Sequence, residues 1–357
     1  MVRAPFTKSR VLKLSVLVKF LLVLAIFCFT FFGGVYFGRN LLEAHGRLAH
    51  PLKLGATFSI HYAEELGLDW REAYVAMLDE LKVKRVRLPA YWDLIEPQRD
   101  EWDFSSLDWQ IKQAQDRNVE VVLAVGRKLP RWPECHVPKW TEGMTEEEIK
   151  PLIIDLVRKT VGRYATSSAV MAWQVENEPF FPFGICPAPD YQMLTREIKE
   201  VESIDSRPVI VTDSGELSTW IRAAYVADVL GISTYRVVWS SLVGYFYWPI
   251  KPQTYFHKSL LIRPLVDGVF ISELQAEPWS AGQIADMPMS LQKKQMNPSR
   301  LRDNIEFARR TGVSEVYLWG VEWWYYAKEN GYLEMWEAGT KMIEQERAGL
   351  ELKNQGQ

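Results

Sequence analysis

From Leu52 onward, apolar runs of strand length alternate with stretches whose apolar residues recur at helical spacing, and the alternation completes eight cycles. The first run covers residues 54–60. Asp69 follows as an N-cap, ahead of Trp70, Tyr74, Met77, Leu78 and Leu81 on one helical face. The second run, 84–89, precedes Leu107, Ile111 and Ala114 at the same spacing. The third, 120–125, leads to a helix opened by the capping box Thr145 with Glu148 and continued by Ile149, Leu152, Ile153 and Leu156. Runs at 169–175, 208–212, 229–234, 268–272 and 315–319 complete the set. Helices are predicted over 191–201, 218–227, 255–262 and 298–310, the last stopped by Gly312. A closing helix is predicted over 332–347, and the polar residues 350–357 are expected to fray.

Eight mostly continuous apolar strands, each followed by a helix, predict an α/β chain folded as a (β/α)8 TIM barrel. The competing open, doubly wound sheet begins with a glycine-rich turn, and neither Gly55 nor Gly67 starts one. No low-complexity linker divides the barrel.

The N-terminus follows a different pattern. Residues 1–19 carry Arg3, Lys8, Arg10, Lys13 and Lys19 and no acid, and the eighteen residues Phe20 to Phe37 carry no charge. That length suits a bilayer span, and the basic flank predicts that the remainder is exported. The preferred reading is one transmembrane signal anchor. A cleaved signal peptide is the alternative, although no convincing small-x-small site precedes Arg39. The chain is thus expected to divide into a basic cytoplasmic N-terminus (1–19), an anchor (20–38), a stalk (39–51), the barrel (52–345) and a polar tail (346–357).

Composition narrows the function classes. The net charge of -3 gives no basic field for nucleic acid. Fifteen tryptophans and fifteen tyrosines suit a large core or platforms for ring-shaped ligands. There is no P-loop, no HExxH and no metal-spaced set of Cys and His, so neither cofactor nor metal is expected. Cys28 lies in the apolar segment. Cys135 and Cys186 fall in the exported part, where a disulfide between them is one reading and two separate thiols the other.

In a barrel the strand ends share one rim, where chemistry is built. The residues expected there are His61, Arg87, Trp92, Lys128, Asn177, Glu178, Asp213, Tyr235, Glu273 and Trp319. Glu178 follows the fourth apolar strand and Glu273 ends the seventh. Paired carboxylates across a barrel mouth are the apparatus of glycoside hydrolysis.

The chain resembles clan A glycoside hydrolases, most of all the family 5 (cellulase-type) group. The resemblance rests on Trp173-Gln174-Val175-Glu176-Asn177-Glu178-Pro179, Arg87-Leu88-Pro89 and Ile271-Ser272-Glu273. Ser233-Thr234-Tyr235-Arg236, Leu318-Trp319-Gly320 and the stretch from Trp92 to Asp108 add to it. It implies a retaining glycosidase of a β-linked glucan- or mannan-type glycan, without cofactor, with an oligo- or polysaccharide as partner. By that resemblance Glu178 is the acid/base and Glu273 the nucleophile, with the carboxyls about 5–5.5 Å apart. Asn177 is implied to hold the sugar 2-hydroxyl, and Arg87 and Tyr235 to orient Glu273. Trp319 is implied as the sugar floor, with His61 and Trp92 as further substrate contacts. Glu277, four residues beyond Glu273, departs from the pattern and is the lesser nucleophile candidate. Glu176 is expected one layer below Glu178. Two alternatives stay open: an exo-acting β-galactosidase or xylosidase of a sister family, and a non-catalytic glycan-binding barrel.

Overall fold

The computed structural model describes residues 50–355, apart from 241 and 281. The expected transmembrane helix at 20–38, the basic residues 1–19 and all of the stalk up to residue 49 lie outside that range. Among the described residues no helix is long and apolar enough to cross a membrane.

Eight parallel strands close a barrel. Their order is β1 (Lys53–Thr57), β10 (Glu315–Trp319), β9 (Gly268–Gln275), β6 (Val229–Thr234), β5 (Val209–Asp213), β4 (Val170–Val175), β3 (Glu120–Val125) and β2 (Arg85–Pro89). An antiparallel hairpin, β7 (Val237–Ser240) with β8 (Gly244–Tyr247), follows β6. It occupies the aromatic loop between Trp239 and Trp248, and Trp239, Tyr245 and Tyr247 stand exposed on it. By contrast Trp323 and Trp324, beyond β10, are wholly buried packing residues.

Local chemistry sets the element ends. Asp69 accepts from the backbone N–H groups of Arg71 and Glu72, and the Thr145–Glu148 capping box opens the helix Glu146–Tyr164. β1 stops at Thr57, short of the expected residue 60, because Ser59 caps a new helix, Ile60–Glu65, by accepting from the Tyr62 N–H. The helix expected over 218–227 shrinks to Ile221–Ala224. Trp220 sits just before it with a left-handed φ of 68°, its buried indole bonded to the Ser214 carbonyl. The closing helix runs over Leu333–Gln355, so the tail expected to fray from residue 350 is helical as far as residue 355. Glu346 secures that helix by accepting from the Leu52 N–H and pairing with Arg309.

Inside the barrel, Val122, Ala172, Ile210, Phe270 and Tyr317 form one apolar layer contributed by five strands. Two residues further along β4 and β5, the strand period of two brings Gln174 and Thr212 to the same face. β9 extends three residues past its expected end, to Gln275, and its pairing slips beside Ser233 and beside Leu318. Such irregularities re-aim side chains at a barrel rim. Glu273 lies within this stretch, opposite Ser233.

Candidate active site

Arg87 is the hub of the barrel mouth. Its guanidinium is fully buried and donates to Gln174 Oε1 at 2.7 Å, to Glu273 Oε1 at 2.9 Å and to Asn177 Oδ1 at 2.6 Å. A planar fork of five donors suits three acceptors, two of them from β4 and the turn that follows it and one from β9. Arg87 therefore forms its ion pair with Glu273.

Glu273 receives a second bond, from the Tyr235 hydroxyl at 2.8 Å on Oε2. Both of its oxygens are thus held, one by a cation. Glu178 is surrounded differently. Its Oε1 accepts from the Ser233 hydroxyl at 2.6 Å, and among the described residues no cation pairs with its carboxyl. Its backbone is pinned instead, with the N–H donating to Thr212 Oγ1 at 2.8 Å and the carbonyl accepting from Lys128 Nζ at 2.9 Å. Burial, followed by the charge of Glu273, raises the Glu178 carboxyl well above the usual carboxylate range, and the Ser233 bond only partly offsets this.

The chain makes this corner by abandoning strand geometry. Glu176 and Glu178 both adopt left-handed backbone, at φ 57° and 44°. Such conformations in non-glycine residues store on the order of 1–3 kcal/mol each and cluster at functional sites. The turn also breaks the alternation that placed Glu176 below Glu178. Glu176 instead points beneath the loop after β3, where its oxygens accept from the backbone N–H groups of Arg127 and Lys128 at 2.7 and 2.6 Å. Gly126 makes room for it, since a Cβ there would lie 2.5 Å from Glu176 Oε1.

Asn177 is fixed between these groups. Its Oδ1 accepts from Arg87 and, at 3.2 Å, from Thr212 Oγ1, which leaves Nδ2 to donate to Glu134 Oε2 at 3.2 Å. Glu134 was not anticipated. It is buried, and burial together with the nearby Glu273 charge pushes its carboxyl up to about 8. It lies in the irregular loop after β3, where no periodicity marks a position as inward. The only readable signal nearby was the neighbouring Cys135, which is disulfide-bonded to Cys186 with their Cα atoms 5.4 Å apart.

The structure thus gathers Arg87, Asn177, Glu178, Tyr235 and Glu273 into one hydrogen-bonded cluster. Lys128 joins it through the Glu178 carbonyl, and the remaining predicted residues lie at its edge or beyond. Trp319 borders the cluster through the Tyr235 ring, but the Arg131 guanidinium lies 4.0 Å from its ring centroid, so one face is already covered. Arg131 is itself paired with Glu277 and approaches Glu322, which places Glu277 in a separate buried ion network. Trp92 is wholly buried, donates to Glu96 Oε2 at 2.8 Å and packs edge-on against Trp140, which leaves it no face for a ligand. Asp213 caps the turn that follows β5 by accepting from the Ser214 N–H and the Ser218 hydroxyl. His61 is half-buried on the rim and pairs with Asp93 at 3.0 Å.

A family model described as beta-galactosidase (glycoside hydrolase family 42) matches residues 62–148. That stretch includes Arg87 and Glu134 but neither Glu178 nor Glu273. Beta-galactosidase BgaA of Clostridium cellulovorans is 25% identical over 183 residues, covering 45% of this chain and 28% of that protein, so the match spans little more than a quarter of the relative's length. Among solved structures, native xylanase 10B from Thermotoga maritima superposes with a TM-score of 0.52 at 16% identity, over 85% of this chain and 98% of its own. GH5_18 from Bifidobacterium longum subsp. longum gives 0.53 at 12% identity, over 75% and 69%. These two likenesses are of fold. The family model and the curated relative agree with the resemblance to clan A glycoside hydrolases and single out no one family, family 5 included.

Proposed function

We propose that the chain is a retaining β-glycosidase in which Glu178 is the acid/base and Glu273 the nucleophile. The observation that supports this assignment is the unequal surroundings of the two carboxyls. An arginine and a tyrosine hydroxyl hold the two oxygens of Glu273, which aims the carboxyl and gives it a counter-charge. Glu178 is buried beside that negative charge with only a serine hydroxyl on it, which favours its neutral form. Two carboxyls in such unlike surroundings can divide the roles between them.

In the first step the neutral Glu178 gives its proton to the glycosidic oxygen as Glu273 attacks the anomeric carbon, so the C–O bond to the leaving sugar breaks and an ester to Glu273 forms. In the second step Glu178, now a carboxylate, takes a proton from water, and that water replaces Glu273 at the anomeric carbon. Asn177 presents its second Nδ2 hydrogen to the sugar 2-hydroxyl, oriented by the bonds Arg87 and Thr212 make to its oxygen.

The substrate class proposed is a β-linked glycan. β-Galactosides come first, ahead of the glucans and mannans that the family 5 resemblance implied, because the family model and the curated relative both carry the name beta-galactosidase. The basic and apolar N-terminal segments support an exported, membrane-anchored domain, and a disulfide suits that oxidising compartment.

The test is turnover of a panel of aryl β-glycosides, with the anomeric configuration of the first product followed by NMR. Retention of configuration is expected. Glu178→Ala should keep the first step on substrates with good leaving groups, and added azide should restore turnover with a β-glycosyl azide as product. Inversion would overturn the nucleophile assignment. Glycan binding without turnover of any member would replace the enzyme reading by a binding barrel.

A further inference from the structure

On the rim beside the proposed catalytic cluster, the segments after β1, β2 and β3 bring together His61, Asp93 and His136. One donor atom from each lies within 4.8 Å of the other two. From this arrangement we propose that the chain carries a binding site for a divalent transition ion of the Zn(II) type, with His61, Asp93 and His136 as its protein ligands.

The donor set has the right chemistry. Two imidazoles and one carboxylate suit Zn(II) and its neighbours, and three protein ligands leave a position for water or a ligand hydroxyl. His61 Nε2 already lies 3.0 Å from Asp93 Oδ2, a spacing that two donors share on one edge of a coordination shell. The His61 and His136 rings are parallel, with centroids 5.2 Å apart and 7° between their planes. Closing the triplet to metal–ligand distances of about 2.0–2.2 Å needs shifts of the order of 1 Å. His61 and Asp93, with side chains 25% and 30% exposed, have the freedom to make them.

His136 is the fixed point. Its backbone N–H donates to the Arg127 carbonyl at 3.0 Å, and its neighbour Cys135 is tied to Cys186. Its Nε2 lies 3.0 Å from the Arg131 carbonyl oxygen, which places the ring proton there and leaves Nδ1 with its lone pair. A backbone carbonyl in that position is the usual outer partner of a metal-bound imidazole. The Tyr91 ring touches both imidazoles, at 4.5 and 4.3 Å, and its hydroxyl is anchored to Ser59 and to the Pro130 carbonyl. Arg131, whose carbonyl holds His136, has its guanidinium committed to Glu277 and Glu322. Spacing along the chain hides this triplet, since its members are 32 and 43 residues apart, on two short helices and a loop.

The inference does not depend on which sugar is cleaved, or on cleavage at all. Its test is a titration of the chelator-stripped full-length chain with Zn(II) in competition with a chromophoric chelator. X-ray absorption at the zinc edge then counts imidazole ligands. One saturable ion per chain with two imidazoles is expected. His136→Ala and Asp93→Asn should each weaken binding by more than the ~10–100-fold that changes to outer partners cost. Asp93→Asn keeps a hydrogen-bonding group at a partly exposed position, so it decides the matter if His136→Ala fails to fold. No saturable binding, or binding unchanged in Asp93→Asn, overturns the proposal. The same holds if binding is traced instead to His45, His50 or His257 by their substitution.

Discussion

Arg87 Nη1 lies 2.9 Å from Oε1 of Glu273, in an ion pair whose two side chains are 0% and 5% exposed. Removing one partner of such a pair leaves a buried, unpaired charge, which typically costs ~3–5 kcal/mol. Arg87→Ala should therefore lower unfolding stability by an amount in that range, read by denaturant titration. It should also lower kcat/KM, since Gln174, Asn177 and Glu273 lose the group that holds them together. Arg87→Lys should rescue little, because one ammonium cannot reach Gln174, Asn177 and Glu273 together.

Ser233 offers a change whose sign is fixed by geometry. Its hydroxyl donates to Glu178 Oε1 at 2.6 Å and so favours the carboxylate, against burial and the Glu273 charge. If Glu178 works as a neutral acid, activity is lost on the alkaline side when its proton leaves. Ser233→Ala removes the one bond that eases that loss, so the alkaline limb should move to higher pH. A pH–kcat/KM series on the parent and the variant measures it. A limb that stays in place or moves down would show that another group sets it.

How far the sequence exposes this site depends on where its parts lie. Residues on regular strands were legible, because apolar runs mark the strands and a period of two assigns the faces. Arg87 and Trp319 fell where that reasoning put them, and β3, β6 and β10 have the expected ends. Failures occur where the backbone leaves the regular period. Glu176 lost its expected layer through one left-handed residue, and β9 grew by three residues through slips in pairing that no apolar pattern encodes. Trp92 looked like a rim aromatic because it follows a strand, yet the short helix Trp92–Ile95 turns its indole inward onto Glu96. Glu134 and His136 belong to a loop, where only tertiary contacts decide which side chain faces the mouth.

Glu134 makes the fold's stability depend on pH in a predictable direction. Its carboxyl is pushed from 4.5 to about 8 by burial and by Glu273. Between those values the folded state binds more protons than the unfolded state, so this group's contribution is fully present below about 4.5 and is lost as pH rises through about 8. Glutamine mimics the protonated form and carries no such loss. Glu134→Gln should thus become more stable relative to the parent as pH rises from 5 to 8, and the gain should level off above that. At ~1.4 kcal/mol for each pH unit separating the folded and unfolded values, the upper bound is a few kcal/mol. Urea unfolding of both proteins across pH 5 to 9 tests it, and a constant difference would place the Glu134 charge outside the buried cluster.

Cys135–Cys186 closes a loop across a sequence separation of 51 residues, and that loop contains β4 and the turn bearing Glu178. Loop-closure entropy for that length gives about 4 kcal/mol of stabilisation through the unfolded chain. Cys135→Ser with Cys186→Ser should therefore lower stability by ~2–5 kcal/mol, measured in denaturant against the oxidised parent. The effect should extend to the site, because the bridge joins the Glu134 loop to the segment after Glu178. The Asn177–Glu134 bond, at 3.2 Å, spans the same two segments without covalent help. If the bridge serves only the unfolded chain, kcat at low temperature will match the parent and only the melting temperature will fall. A matched fall in kcat with KM unchanged, at a temperature where both proteins are fully folded, would show that the bridge also positions Glu134 against Asn177.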